Sequence, residues 1–286
     1  MSLRHVTRLP DGTAVPALGQ GTWRMGDNPE RRASEVAALR AGIAAGMTLI
    51  DTAEMYGNGR SERLVAEAIK ETPRDKLFIV SKVLPSNASR SRIFRSCYAS
   101  LRNIGTDYLD LYLLHWRGDV PLSEAVSCME ELVQSGKIRR WGVSNFDVSD
   151  MKELWRVPSG KKCAVNQVLY HLGSRGIEYD LIPWHAQHNV PVMAYCPIAQ
   201  AGELKPALYT SNAVQNVAAR HSATVTQVLL AFVLHSGQVM AIPRSGSPAH
   251  TMENAAADDI ELTDVDMAEL NAAFPAPTHK TCLDVV

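Results

Sequence analysis

Four polar side chains in this 286-residue sequence stand at or just beyond the ends of apolar runs. Thr48-Leu49-Ile50 leads to Asp51, Phe78-Ile79-Val80-Ser81 to Lys82 and Leu111-Tyr112-Leu113-Leu114 to His115, while Tyr56 follows Asp51 in the next loop. Short apolar runs of this kind read as strands. A carboxylate, a phenol, an amine and an imidazole are then delivered to one edge of a sheet, where acid–base chemistry needs them. A free phenol, with a pKa near 10, is a poor proton donor at neutral pH. An ammonium about 4 Å away, at an effective dielectric near 20, favours the phenolate by roughly 4 kcal/mol before desolvation. Lys82 is therefore expected to lower the pKa of Tyr56 by up to about 3. Asp51 would keep Lys82 charged and oriented, and His115 would hydrogen-bond a substrate oxygen. The set suits protonation of an oxygen on which negative charge develops, as in carbonyl reduction. Taken singly, each residue also reads as a turn cap, a loop tyrosine, a solvated strand end or a barrel-top imidazole. Their joint placement at strand ends carries the chemistry.

Positioning these groups requires a sheet whose strands all end on one face. Strand-like runs cover residues 18–23, 48–52, 77–82, 109–115, 139–145, 163–167, 192–195 and 240–244. Helical patterns fill the gaps at 31–45, 61–71, 89–104, 122–135, 148–155, 177–188, 213–234 in two pieces, and 250–256. Asp147 reads as the cap of the fifth helix, and Ser135-Gly136 as the end of the fourth. The ends at Asp51, Lys82, His115 and Asn145 fall 30 to 33 residues apart, about the length of one strand–helix unit. Eight such units without a long linker predict an α/β fold, a (β/α)8 TIM barrel spanning 1–286 as a single domain. Residues 6–9 and 14–17, joined by Asp11-Gly12, predict an N-terminal hairpin that plugs the barrel mouth. The long interval from Tyr195 to Arg244 predicts extra helical structure after the seventh strand, and 264–274 a further C-terminal helix before a tail. The competing doubly wound sheet needs G-x-G-x-x-G. Here Gly19-Gln20-Gly21 continues as Thr22-Trp23-Arg24, so the third glycine is missing.

Composition excludes other classes. Hydrophobic residues make up 46% of the chain and charged residues 21%, which provides for a large core. A net charge of −1 with no basic stripe points away from nucleic acid and anionic membranes. The N-terminus has no apolar signal region, and the apolar run at 228–234 is too short to span a bilayer. Five scattered cysteines (Cys97, Cys128, Cys163, Cys196 and Cys282) read as free thiols in a reducing cytoplasm. His185-x-x-His188 reads as a helix face without a metal, since no further ligand joins it at suitable spacing.

Longer stretches then become informative. Asp51-Thr52-Ala53-Glu54-Met55-Tyr56-Gly57, Lys82, Asp107 through His115, Gly142-Val143-Ser144-Asn145-Phe146, Asn166-Gln167, Tyr195-Cys196-Pro197 and Ile242-Pro243-Arg244-Ser245 occur in order. From about Leu18 to Asn254 the chain resembles the aldo-keto reductases, above all bacterial members that reduce methylglyoxal and related small 2-oxoaldehydes. The resemblance implies a barrel that binds NADPH extended across its top. It makes Tyr56 the proton donor, with Lys82 and Asp51 tuning it and His115 orienting the carbonyl. Ser144, Asn145 and Gln167 would hold the nicotinamide carboxamide and Tyr195 would stack on the ring. Gly21, Thr22, Trp23, Asp51, Cys196, Pro197 and Ile198 complete the implied cofactor path, and Trp23, Tyr56, His115 and Trp116 the substrate site.

At the implied 2′-phosphate site the family pattern is Lys-Ser, an arginine and Glu-Asn, whereas this chain has Arg244-Ser245, His250 and Glu253-Asn254. Arg244 keeps a permanent charge, but His250 is mostly neutral at pH 7. NADPH is expected to be preferred, by less than is usual. Cys196 stands where serine is common, with an expected effect on a diphosphate contact. Short loops after His115 and at the C-terminus favour a small carbonyl substrate, with diketo-sugar acids as the alternative. A cofactor-sensing regulatory subunit is a further alternative within the same family. A monomer is expected.

Overall fold

The computed structural model describes residues 3–199 and 204–285. Strands β1 (Val6–Arg8) and β2 (Ala14–Pro16) pair antiparallel in the register Val6 with Pro16 and Arg8 with Ala14. The turn between them places Gly12 at φ +85°, a left-handed conformation that favours glycine, and the Asp11 carboxylate accepts from Thr13 N at 2.9 Å. Leu9 and Val15 leave this hairpin fully buried. They pack against Leu49, Phe78, Val80, Leu111, Leu113, Met193 and Met240, so the hairpin does plug the barrel floor.

Eight parallel strands follow: β3 (Gln20–Gly21), β4 (Leu49–Asp51), β5 (Phe78–Val83), β6 (Leu111–Leu114), β7 (Trp141–Ser144), β8 (Asn166–Leu169), β9 (Val192–Tyr195) and β10 (Val239–Ala241). Each pairs with its sequence neighbour, and bridges from Leu18 to Ala241 and from Gly21 to Arg244 close β3 onto β10. β3 is closely flanked on both sides: a Cβ on Gly19 would lie 2.6 Å from Leu49 Cγ of β4, and one on Gly21 2.7 Å from the Ile242 carbonyl oxygen just after β10. The paired glycines therefore serve barrel closure and form no dinucleotide fingerprint. Alternation with period two sorts the side chains. In β5, Phe78 and Val80 join the interior cluster and Ile79 and Val83 the layer under the helices.

That outer layer is built by α1 (Arg32–Ala44), α2 (Arg60–Ile69), α3 (Ile93–Ile104), α4 (Leu122–Gln134), α5 (Val148–Arg156), α6 (Leu181–His188), α7 (Leu204–Thr210), α8 (Asn212–Arg220), α9 (Val225–His235) and α10 (Pro248–Ala255), with α11 (Asp264–Ala273) after them. The Asp147 side chain caps α5 in a capping box with Asp150, and Gly136, at φ +69°, follows the end of α4. Several boundaries differ from the sequence reading. The strand expected at 163–167 forms at Asn166–Leu169, because a 3-10 turn runs through Lys162 first. Residues 89–92 form turns ahead of α3. A 3-10 turn at Gly176–Glu178 separates from α6, which starts at Leu181 with Pro183 tolerated in its first turn. The extra structure after β9 includes α7. Among the described residues no single helix is long and apolar enough to cross a membrane; α8 and α9 pass the length and composition test only as a pair bent by 88°.

Truncation of the plug tests its contribution. Leu9→Ala should destabilise the protein by about 2–5 kcal/mol in urea unfolding, since the cavity lies in closed packing. A loss below about 0.5 kcal/mol would mean that the hairpin merely rests on the barrel floor.

Candidate active site

Alternation along β5 turns Lys82 into the barrel, where it has no exposed surface. Its three ammonium protons find three acceptors: Asp51 Oδ2 at 2.7 Å, the Thr52 carbonyl at 2.9 Å and Tyr56 Oη at 2.9 Å. Asp51 closes β4 and is itself buried; its Oδ1 accepts from Gln167 Nε2, 2.8 Å away on β8. Gln167 also donates to Met193 Sδ. The neighbouring Asn166 faces the other way, donating to the Phe146 carbonyl and meeting His185 Nε2 at 3.1 Å. His188 stacks on Trp184, with ring centroids 3.9 Å apart.

Buried hydroxyls fix the loop that carries Tyr56. Thr22 Oγ1 donates to the Asp51 carbonyl at 2.9 Å, and Ser61 Oγ lies 2.7 Å from Thr22 Oγ1. Thr52 Oγ1 donates to Ser61 Oγ at 3.2 Å, and Ser61 N to the Tyr56 carbonyl at 3.3 Å. Behind β5, Ser81 and Asn103 donate to the two oxygens of the buried Glu62 carboxylate, each at 2.8 Å. Ser61 and Glu62 escaped the sequence reading. Their signal was a polar pair on the same helical stripe as Val65, Ala68 and Ile69.

Above the ammonium an aromatic wall forms. The Trp23 and Tyr56 centroids are 4.8 Å apart edge to face, those of Tyr56 and His115 are 5.8 Å apart, and those of His115 and Trp116 are 5.1 Å apart. Trp23 and Trp116 stay 36% and 38% exposed and form the rim. Burial, with the Lys82 charge adding to it, pushes the pKa of His115 down to about 2, so the ring is neutral at physiological pH. The expectation for Tyr56 is corrected. Its phenol is held well above the ordinary 10.0, first by burial and then by the Asp51 charge. The Asp51 carboxylate, 2.7 Å from Lys82, opposes the ammonium's pull on the phenol, and burial disfavours the phenolate. Lys82 itself is lowered by burial, with Asp51 and Glu62 pulling in the opposite direction.

A cleft of about 880 Å³ opens from this group. Gly21, Thr22, Trp23, Asp51, Tyr56, His115 and Trp116 line it, as do Ser144, Asn145, Gln167, Tyr195, Cys196, Pro197, Ile198 and Arg244. Asn145 adopts φ +58°, a left-handed turn that asparagine tolerates, after β7 ends. Its amide nitrogen donates to the His115 carbonyl at 3.2 Å, and its oxygen accepts from Tyr195 Oη at 2.9 Å. Burial pushes the Cys196 thiol up to about 11, so it is uncharged. Beyond Arg244 the remaining sequence candidates lie outside the cleft lining. Ser245 Oγ donates to the Ser247 carbonyl, Glu253 Oε1 accepts from Thr224 Oγ1, His250 is exposed on α10 and Asn254 is buried. Asp27, Asn28, Arg31, Glu35 and Lys205 also line the cleft and were not singled out from sequence. Arg244 Nη2 lies 3.1 Å from Glu35 Oε1.

A closed eight-stranded barrel with this cluster at its C-terminal rim defines a class of oxidoreductase. The chain matches the Aldo/keto reductase family over residues 17–274 and belongs to it. It is 55% identical over 273 residues to the methylglyoxal reductase YeaE of Escherichia coli (strain K12), covering 96% of each chain. It is 33% identical to the glyoxal reductase of Bacillus subtilis (strain 168), covering 95% of this chain and 93% of that protein. The crystal structure of an aldo-keto reductase from Klebsiella pneumoniae in complex with NADPH superposes with a TM-score of 0.96, at 53% identity over all of both chains.

The neutral imidazole and the protonated phenol set the pH profile. As the expected proton donor Tyr56 must be protonated, and its raised pKa keeps it so as pH rises past neutrality, while burial holds the His115 ring neutral across that range. The kcat/KM for carbonyl reduction should therefore show no inflection near pH 6.5 and fall only on the alkaline side. An imidazole-like step between about pH 5.5 and 7.5 that disappears in His115→Asn would contradict the neutral ring.

Proposed function

We propose that this protein is an NADPH-dependent reductase of small aldehydes and 2-oxoaldehydes of the methylglyoxal type. The observation that carries the reading is the buried contact of Lys82 Nζ with Tyr56 Oη at 2.9 Å, backed by Asp51 and roofed by His115. The cleft fits a dinucleotide by the chemistry of its lining. Gln167 and Asn145 contact Asp51 and the His115 carbonyl, and Ser144, the Tyr195 ring and the Arg244 guanidinium share the same cleft lining. NADPH bound there supplies a hydride to the carbonyl carbon. Asn145 and Gln167 would hold the carboxamide, and Arg244 would supply the positive charge for a 2′-phosphate. Gly21, Thr22, Cys196, Pro197 and Ile198 would flank the cofactor, and Ser245, His250, Glu253 and Asn254 follow Arg244 in sequence as the remaining candidates for its 2′-phosphate end.

The chain's own groups then manage the proton. Neutral His115 donates a hydrogen bond to the substrate oxygen and holds it toward Tyr56. As negative charge develops on that oxygen, Tyr56 gives up its proton, and the Lys82 ammonium stabilises the phenolate left behind. Asp51 keeps Lys82 protonated and aimed, and Gln167 fixes Asp51. The resting tyrosine is reluctant to ionise in bulk, yet its proton leaves readily to an alkoxide, a stronger base.

Trp23, Met55 and Trp116 make the rim around Tyr56 aromatic or apolar and uncharged, which favours a small neutral carbonyl. The relatives named for methylglyoxal and glyoxal reduction support the same class. Diketo-sugar acids are the second reading. It rests on a structural neighbour named as a putative 2,5-diketo-D-gluconic acid reductase B, with 28% identity and a TM-score of 0.84. The same proposal has the 286 residues act as one domain, as a cytoplasmic monomer without nucleic-acid or membrane partners. The cysteines, none of them in a disulfide among the described residues, support the cytoplasmic reading, and the net charge of −1 the reading without a nucleic-acid partner.

Steady-state oxidation of NADPH with a panel of methylglyoxal, simple aldehydes and keto-sugars tests the function, with methylglyoxal expected to give the highest kcat/KM. In the same assay Tyr56→Phe should lose about 10³-fold or more in kcat while NADPH still binds, as measured by its fluorescence. Near-normal turnover in that variant would remove Tyr56 as donor, and no reaction with any reactive aldehyde would overturn the reductase reading.

A further inference from the structure

Glu35 stands in the first turns of α1, 1% exposed, with a carboxylate whose two oxygens are both engaged. Oε2 accepts from Gly26 N at 2.8 Å and so holds the loop after β3, while Oε1 pairs with Arg244 Nη2 at 3.1 Å. The next residue back, Ser34, donates to the Gly246 carbonyl at 2.7 Å, so α1 is braced against the loop that carries Arg244. Glu35 and Arg244 both line the cleft, and the guanidinium keeps an exposed flank toward it.

We propose that Glu35 is a cofactor-specificity residue: its buried carboxylate competes with a cofactor 2′-phosphate for Arg244 and limits the preference for NADPH over NADH. This rests on the reading of Arg244 as the phosphate-facing cation. An incoming phosphate has two options, and both carry a penalty that a 2′-hydroxyl does not meet. Displacing Arg244 from Glu35 strands a buried carboxylate without its cation. Sharing the guanidinium places the phosphate and the carboxylate, both negative, on one small group. Exposed His250 on α10 offers no permanent positive charge to offset the second case.

Direct binding tests this without turnover. Dissociation constants of NADP+ and NAD+ are measured by tryptophan quenching or calorimetry for the parent protein, Glu35→Gln and Arg244→Ala. Glutamine keeps a carbonyl acceptor for Gly26 N but carries no charge. Glu35→Gln should tighten NADP+ by about tenfold and move NAD+ by less than about twofold. Should that variant lose the native circular dichroism, Glu35→Met provides a second uncharged comparison, without the carbonyl acceptor for Gly26 N. Unchanged or weaker NADP+ binding in a folded neutral variant overturns the proposal, because Glu35 then merely holds Arg244 in place. Equal tightening of both cofactors overturns it too. Arg244→Ala separates the underlying reading: selective loss of NADP+ affinity supports the phosphate assignment, whereas equal loss of both cofactors removes it and this inference with it.

Discussion

Everything at the C-terminal rim of this barrel depends on one buried ammonium. Lys82 has no exposed surface, and an amine in that position is tolerable only with a counter-charge and acceptors for all its protons. Asp51, the Thr52 carbonyl and Tyr56 provide them, each from β4 or the loop after it, one strand over from β5. The pair is then locked from across the barrel by Gln167 and from behind by Glu62 through Ser81. Removing one partner of such a pair leaves an uncompensated charge, at a cost of about 3–5 kcal/mol. The same contacts that solve this burial problem place the phenol of Tyr56 at the mouth of the cleft. Stability and chemistry share one set of hydrogen bonds.

The electrostatics of the resting site follow from that pairing. A free ammonium would depress a neighbouring tyrosine, but here Asp51 is nearer to Lys82 than the phenol is, and burial disfavours every net charge. Burial, and after it the Lys82 charge, keeps His115 neutral. The resting site therefore holds its phenol protonated and its imidazole uncharged. In the proposed reaction, developing charge on a carbonyl oxygen would provide the field difference that releases the proton.

How far this was legible in the sequence depends on how each residue is presented. Asp51, Lys82 and His115 could be found because each follows directly from an apolar run, with Tyr56 in the loop after Asp51, and period-two alternation forces Lys82 inward between Ser81 and Val83. The barrel was legible from the regular recurrence of strand ends, and the hairpin plug from Asp11-Gly12 between two short apolar pairs. Asn166 and Gln167 begin a strand rather than end one, because their polarity hid a ladder that continues to Leu169. The direction of the Tyr56 shift was misread from the sequence because burial and the competing Asp51 distance are properties of the assembled site. Glu35 carried a faint signal, a carboxylate on the helical stripe of Leu39 and Gly42, but its partner Arg244 is more than two hundred residues away. Pairings across a closing barrel have no local period to betray them.

The central claim is that the Lys82–Asp51 pair leaves Tyr56 protonated in the resting site. The most direct measurement is the ionisation of Tyr56 itself, followed by the ¹³Cζ resonance of labelled tyrosine and assigned with Tyr56→Phe. The account predicts a phenol resonance that persists to about pH 10 and above, with ionisation moving to lower pH in Asp51→Asn as the opposing charge is removed. Ionisation of Tyr56 below about pH 8 in the parent protein would show that the ammonium field prevails, and would contradict it.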